Sequence, residues 1–244
     1  VSVRALAVLL LAAACRSAVP GVASPAPREP ATGGHALREL QGWSVRVDER
    51  LLQGDGAPQG ERALALLEAR LVAIATVVPA EPLARLRAVT IQLDLDVPGL
   101  TAMQYHPSAD WLREHGYSEE LAKCVHIPSV ADFLSPFENH RMPWVVLHEL
   151  AHAYHDQVLG FDDARIVAAW ERFRADPRYE SVLTSPGGQR EHYGRTNASE
   201  FFAEMSESYF GSNDFYPFVA GELEEADPQT FALLAQLWGP LPGR

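Results

Sequence analysis

Cysteine is nearly absent: the 244 residues contain only Cys15 and Cys124. That excludes a small scaffold stapled by several disulfides. Basic stretches are also missing. With 20 Lys and Arg against 32 Asp and Glu, the formal net charge is −12 and no Lys/Arg-rich run occurs. A non-specific nucleic-acid binder needs a basic stripe to displace counterions, so nucleic acid is not an expected partner. No internal repeat is visible. The remaining composition, 47% hydrophobic and 21% charged with 17 Gly and 18 Pro, is that of an ordinary globular chain. It excludes collagen-like, coiled-coil and wholly disordered classes. The length suits one generous domain.

What is present begins with an address. Arg4 precedes the uncharged apolar run Ala5 to Ala14, which ends in small residues just before Cys15. A membrane-spanning helix needs about 20 apolar residues, so this run reads as a signal peptide over residues 1–14 and predicts export. Cys15 after Ala12-Ala13-Ala14 resembles a bacterial lipobox, with Ala12 where Leu is usual. Lipidation of Cys15 would make an N-terminal lipid anchor the only membrane contact; ordinary cleavage after Ala14 fits as well. Residues 15–36 carry Pro20, Pro25, Pro27, Pro30, Gly33 and Gly34 and read as a flexible linker. Cys124 is then left without a ready partner and reads as a buried, inert thiol.

Residues 37–244 read as one α+β domain. Trp43 to Asp48 alternates apolar and polar residues, as a half-exposed strand does. Leu64, Leu67, Leu71, Ile74 and Val78 follow helical spacing up to Pro79. Val89 to Leu95 is the best strand, and Cys124 to Ile127 a short one. Helices are expected at about 142–159, 162–175, 197–211 and 228–238. Strands early and helices late give a small mixed sheet and a helical C-terminal lobe.

The chemistry concentrates in His148-Glu149-Leu150-Ala151-His152. On a helix, positions i and i+4 share a face, so two imidazoles can hold one Zn²⁺. Glu149 then stands beside the ion, placed to take a proton from metal-bound water. With nine His in 244 residues, chance supplies roughly 0.03 copies of such a motif in a chain of this composition. The metzincin extension would need Gly at 155 and His at 158; His155 and Val158 stand there instead. His155 is expected in a hydrogen-bonding or surface role.

A catalytic zinc takes three protein ligands and leaves a position open. Glu200, 48 residues past His152, is the best third ligand. It shares a helix face with Glu204, so one carboxylate can ligate while the other accepts the outer N–H of an imidazole. Asn197 and Glu200 also fit a helix-start capping pattern. Asp94 and Asp96 read as a solvated strand face. His106, His115, His126 and His140 read as structural or exposed, and Glu222, Glu224 and Glu225 as a surface charge cluster.

The tract Tyr193-Gly194-Arg195-Thr196-Asn197-Ala198-Ser199-Glu200-Phe201-Phe202-Ala203-Glu204 closely resembles the zinc-site region of the anthrax lethal factor catalytic-domain family, which are gluzincin-type metallopeptidases. The close likeness covers about 145–156 and 192–211. It implies a zincin-like fold and one Zn²⁺ per chain held by His148, His152 and Glu200. It further implies Glu149 as general base, Tyr193 as the donor to the developing oxyanion, and Glu204 as an acid supporting the ligands. The chain has no room for the toxin's cell-entry domains, so the toxin's substrate and biology do not carry over. The expected activity is zinc-dependent peptide-bond hydrolysis, of the endopeptidase type by analogy, on a peptide or protein substrate. Acidic character suggests steering of basic peptides. The alternatives are a zincin-like binding or scaffold protein without turnover, and a protein using the metal structurally. A structural site is usually closed by four protein ligands, and only three are apparent.

Overall fold

The computed structural model describes residues 34–243. The signal peptide expected at 1–14, Cys15 and nearly all of the linker expected at 15–36 lie outside the described residues. The linker's last two positions do not hold. The first strand, β1, already runs from His35 to Leu40 and pairs antiparallel with β2, Trp43–Asp48. Gln41 and Gly42 between them both have positive φ, 52° and 88°. That is the backbone a two-residue hairpin turn requires.

After β2 the chain forms helix α1, Ala57–Val77, and helix α2, Ala80–Arg87. In α1 the buried residues Ala63, Leu67, Leu71 and Ile74 recur at helical spacing. Pro79 disfavours helical geometry at Val78, whose ψ of 129° ends the helix. The crossover delivers β3, Ile91–Leu93, parallel to β2. Next come β4, Gln104–Tyr105, helix α3, Ala109–Glu114, and β5, Val125–Ile127. The sheet order is β1-β2-β3-β5-β4, with β5 parallel to β3 and β4 antiparallel on the edge. The fold is therefore α+β with a small mixed sheet. The strand expected at 89–95 is shorter than its pattern, because ladder pairing covers only Ile91 to Leu93.

Beyond the sheet the chain is mostly helical. Two short helices, α4 (Val130–Phe133) and α5 (Pro136–Arg141), lead into α6, Val145–Tyr154. The single helix expected over 142–159 changes at its end. Residues His155–Leu159 form a π-turn that Gly160 closes with φ 88°. Then follow α7 (Ala164–Ala175), a hairpin of β6 (Val182–Leu183) with β7 (Gln189–Arg190), α8 (Ala198–Phe210), α9 (Ala220–Ala226) and α10 (Pro228–Trp238). Among the described residues no helix is long and apolar enough to cross a membrane.

Helices α6 and α8 carry the motif residues and are buried almost throughout, from Val146 to Tyr154 and from Ser199 to Phe210. Helix α10 locks them from behind. Fully buried Trp238 stacks on Tyr154 of α6 at 4.2 Å and on Phe202 of α8 at 5.5 Å between ring centroids. Its indole N–H donates to Ser206 Oγ at 2.9 Å, which meets the polar need of the buried ring. Gly211 at the end of α8 lets Trp144 lie against the backbone, since a Cβ there would fall 2.0 Å from the indole.

Candidate metal centre

Helical spacing brings His148 and His152 together, and the first turn of α8 supplies Glu200. The three inner atoms form a triangle. His148 Nε2 lies 3.1 Å from His152 Nε2, and Glu200 Oε2 lies 3.3 and 3.4 Å from the two nitrogens. Ligands placed tetrahedrally around an ion with bonds of about 2.0–2.1 Å are about 3.3–3.4 Å apart, so the triangle has the size of one face of a zinc tetrahedron. All three residues are buried. Among the described residues no fourth His, Cys, Asp or Glu joins this group.

The outer atoms explain why the inner ones converge. His148 Nδ1 is 2.7 Å from Glu207 Oε1, and His152 Nδ1 is 2.8 Å from Ser199 Oγ. A carboxylate only accepts, so Glu207 holds the proton on Nδ1 and turns a lone pair at Nε2 towards Glu200. A lone pair facing a carboxylate is repulsive unless a positive charge lies between them. Electrostatics agrees. Burial opposes charge on His148, but hydrogen bonds to Glu200 and Glu207 outweigh it and raise its pKa well above the ordinary value. Burial likewise opposes the Glu200 carboxylate, yet His152 and His148 hold its pKa well below the usual range. A proton on His148 or a metal ion meets that demand, and two imidazoles with one carboxylate form a donor set suited to zinc.

Glu149 follows His148 on α6 and is 8% exposed. Burial raises its pKa, against the pull of His148 and His152, and the backbone N–H of Tyr105 donates to its Oε2 at 2.7 Å. Tyr193 opens a short 3₁₀ turn, Tyr193–Arg195, whose geometry is fixed by Gly194 N–H donating to His192 Nδ1 at 3.0 Å. Its phenol is half-buried. Burial and then the Glu200 carboxylate push its pKa above the ordinary value, with His148 opposing, so the phenol sits within the field of the same centre.

Glu204 is not the nearer partner of the His148 imidazole. Its Oε1 lies 3.8 Å from His148 Nδ1, and Glu207 occupies the short contact. Burial, with Asp214 and Glu207 close by, raises the Glu204 pKa well above the ordinary value and so favours its neutral form. Burial and Glu207 push Asp214 up to about 6, against Arg141 at 3.4 Å. Glu200, Glu204 and Glu207 lie at i, i+4 and i+7 of one helix face, the signal that would have pointed to Glu207. Asn197 does cap α8, accepting from the N–H groups of Ser199 and Glu200 at 2.9 Å each, while the Glu200 side chain turns to the imidazoles.

Two other expectations change. Asp94 is buried, not solvated. It accepts from His126 at 2.8 Å and Gln92 at 2.8 Å and contacts His35 at 2.7 Å. Burial opposes its charge, but these bonds bring its pKa down to about 2. His106 and His126 extend that network at 3.2 Å, whereas His115 and His140 are exposed. His155 has neither of its expected roles. It is fully buried between Phe161 and Phe202, and neither ring nitrogen has a hydrogen-bond partner. Cys124 is buried and unpaired by disulfide, with its thiol pKa raised by burial. Comparison with protein-family models, with curated proteins and with solved structures finds no match to this chain.

Proposed function

We propose that this protein is a zinc-dependent peptidase with a zincin-type centre. The observation that carries the proposal is the tetrahedral-face triangle of His148 Nε2, His152 Nε2 and Glu200 Oε2, with Glu149 beside it. His148, His152 and Glu200 would hold the ion. When bound, zinc supplies a Lewis acid that polarises a peptide carbonyl and brings the pKa of a coordinated water towards neutrality. Glu149 takes the proton of the attacking water and returns it to the leaving amine. Its raised pKa suits both tasks, since a carboxylate with an ordinary pKa returns a proton poorly. Tyr193, kept protonated by burial and by neighbouring carboxylates, donates to the oxygen that gains charge in the tetrahedral adduct. Glu207 and Ser199 hold the two imidazoles so that their Nε2 atoms face Glu200.

The test is cleavage of an unbiased peptide library by the zinc-loaded chain and by its Glu149→Ala variant. The proposal expects cleavage by the parent that a chelator abolishes, and none by the variant at equal zinc content. Zinc in both with cleavage in neither would favour a binding or structural role. Undiminished cleavage by Glu149→Ala would remove Glu149 from the reaction.

A further inference from the structure

The backbone amide of Tyr105 donates to the general base, yet strand β4 that carries it is only two residues long. Two register pairs, Gln104 with His126 and Tyr105 with Val125, join β4 to the sheet, and just past it His106 donates to Cys124 O and accepts from Lys123 N; all lie on one side. So short an edge strand is weakly held by its ladder alone. The Tyr105 side chain provides a second restraint, towards α6. Tyr105 Oη donates to Asp156 Oδ2 at 2.6 Å and accepts from Gln157 Nε2 at 3.0 Å. Lys123 Nζ reaches the same Asp156 oxygen at 2.5 Å. Lys123 adopts φ 62°, a left-handed backbone uncommon for a residue with a side chain. Asp156 lies seven residues past Glu149, two turns along the same face of α6 and its π-turn.

We propose that Tyr105 is a positioning residue for Glu149, held against α6 by a clamp of Asp156, Gln157 and Lys123. The inference rests on the peptidase reading of this centre and names what aims its base. Burial, and the bond to Asp156, keep the phenol protonated and therefore a donor. Tyr105 itself is 7% exposed, so its ring cannot leave the clamp without exposing apolar surface. The amide fixes Glu149 Oε2 and leaves the carboxylate's second oxygen to take the proton of the attacking water. Releasing the phenol lets the edge strand drift and with it the direction of the base. A displacement of about 1 Å in such a group costs up to about a hundredfold in rate.

The variants are Tyr105→Phe, Asp156→Asn and the pair together, in the full chain. Asp156 is part-exposed and its replacement by Asn keeps the packing. Each single variant is expected to lower kcat about tenfold, with KM within about twofold and zinc content unchanged. The double variant is expected to fall no further than the weaker single, because both cut one restraint. A second readout needs no turnover: the Tyr105 amide, followed by NMR hydrogen exchange, is expected to exchange about tenfold faster in Asp156→Asn. Values of kcat within twofold of the parent in both singles, or an unchanged amide, would overturn the clamp. A parent that cleaves no peptide would reject the peptidase reading, and the amide measurement would then decide the clamp by itself.

Discussion

Exchanging Glu207 for Gln separates the two acids behind His148. The His148 Nδ1–Glu207 Oε1 contact of 2.7 Å joins two buried groups, so solvent screens it little. Gln keeps the shape and a carbonyl acceptor but removes the charge, and a charge-assisted bond is about twice as strong as a neutral one. It also withdraws electron density that makes Nε2 a better ligand. Loss of such an outer partner costs about 10–100-fold in metal affinity, or about 1.4–2.7 kcal/mol. Glu204 is different. Its carboxyl stands farther from His148 Nδ1, at 3.8 Å, and burial favours its neutral form, so Glu204→Gln should change zinc affinity by less than about threefold. The assay is competition for zinc against a chelating indicator at pH 7, with circular dichroism confirming that both variants are folded. A larger loss in Glu204→Gln than in Glu207→Gln, or a Glu207→Gln affinity within twofold of the parent, would refute the assignment.

Three further outcomes follow from the same structure. Burial lowers His155 to about 4, and His106 and His192 to about 3, whereas their unfolded pKa lies near the ordinary 6.5. The unfolded chain therefore binds more protons as pH falls from about 6.5 to 4, so stability is present at neutral pH and lost in that window. His155 alone accounts for about 3 kcal/mol; urea unfolding at pH 7 and pH 4 should show His155→Leu losing less than the parent, and equal losses would contradict it. Tyr193→Phe should lower kcat about 10²–10³-fold while keeping zinc, and full turnover in that variant would end its role as an oxyanion donor. Trp238→Ala should cost about 3–5 kcal/mol, since it empties the space between α6, α8 and α10; a denaturation midpoint close to the parent's would show that α10 does not brace the centre.

Much of the centre could be read from spacing because a helix converts spacing into proximity. His148 and His152 at i, i+4 needed only the helix to meet. Glu200 needed α6 and α8 to pack together, which their apolar residues implied. Glu207 went unread because it lies a turn beyond the pair that had attracted attention. Tyr105 and Ser199 left no trace, since a backbone amide and a lone hydroxyl carry no pattern until the fold places them. The two failures in the sheet have opposite causes. Asp94 follows β3, an interior strand buried on both faces, where alternation does not mark a wet side. Strand β1 is the reverse case: an exposed edge with little alternation to announce it, beginning inside a stretch that composition marks as linker.

X-ray absorption at the zinc edge decides whether His148, His152 and Glu200 form an open zinc centre. The expected spectrum is that of one zinc per chain bound by two imidazole nitrogens and oxygen ligands at about 2.0–2.2 Å, with a water-derived oxygen completing the four. Failure to retain zinc in folded protein, or a sulfur ligand at about 2.3 Å, would contradict it.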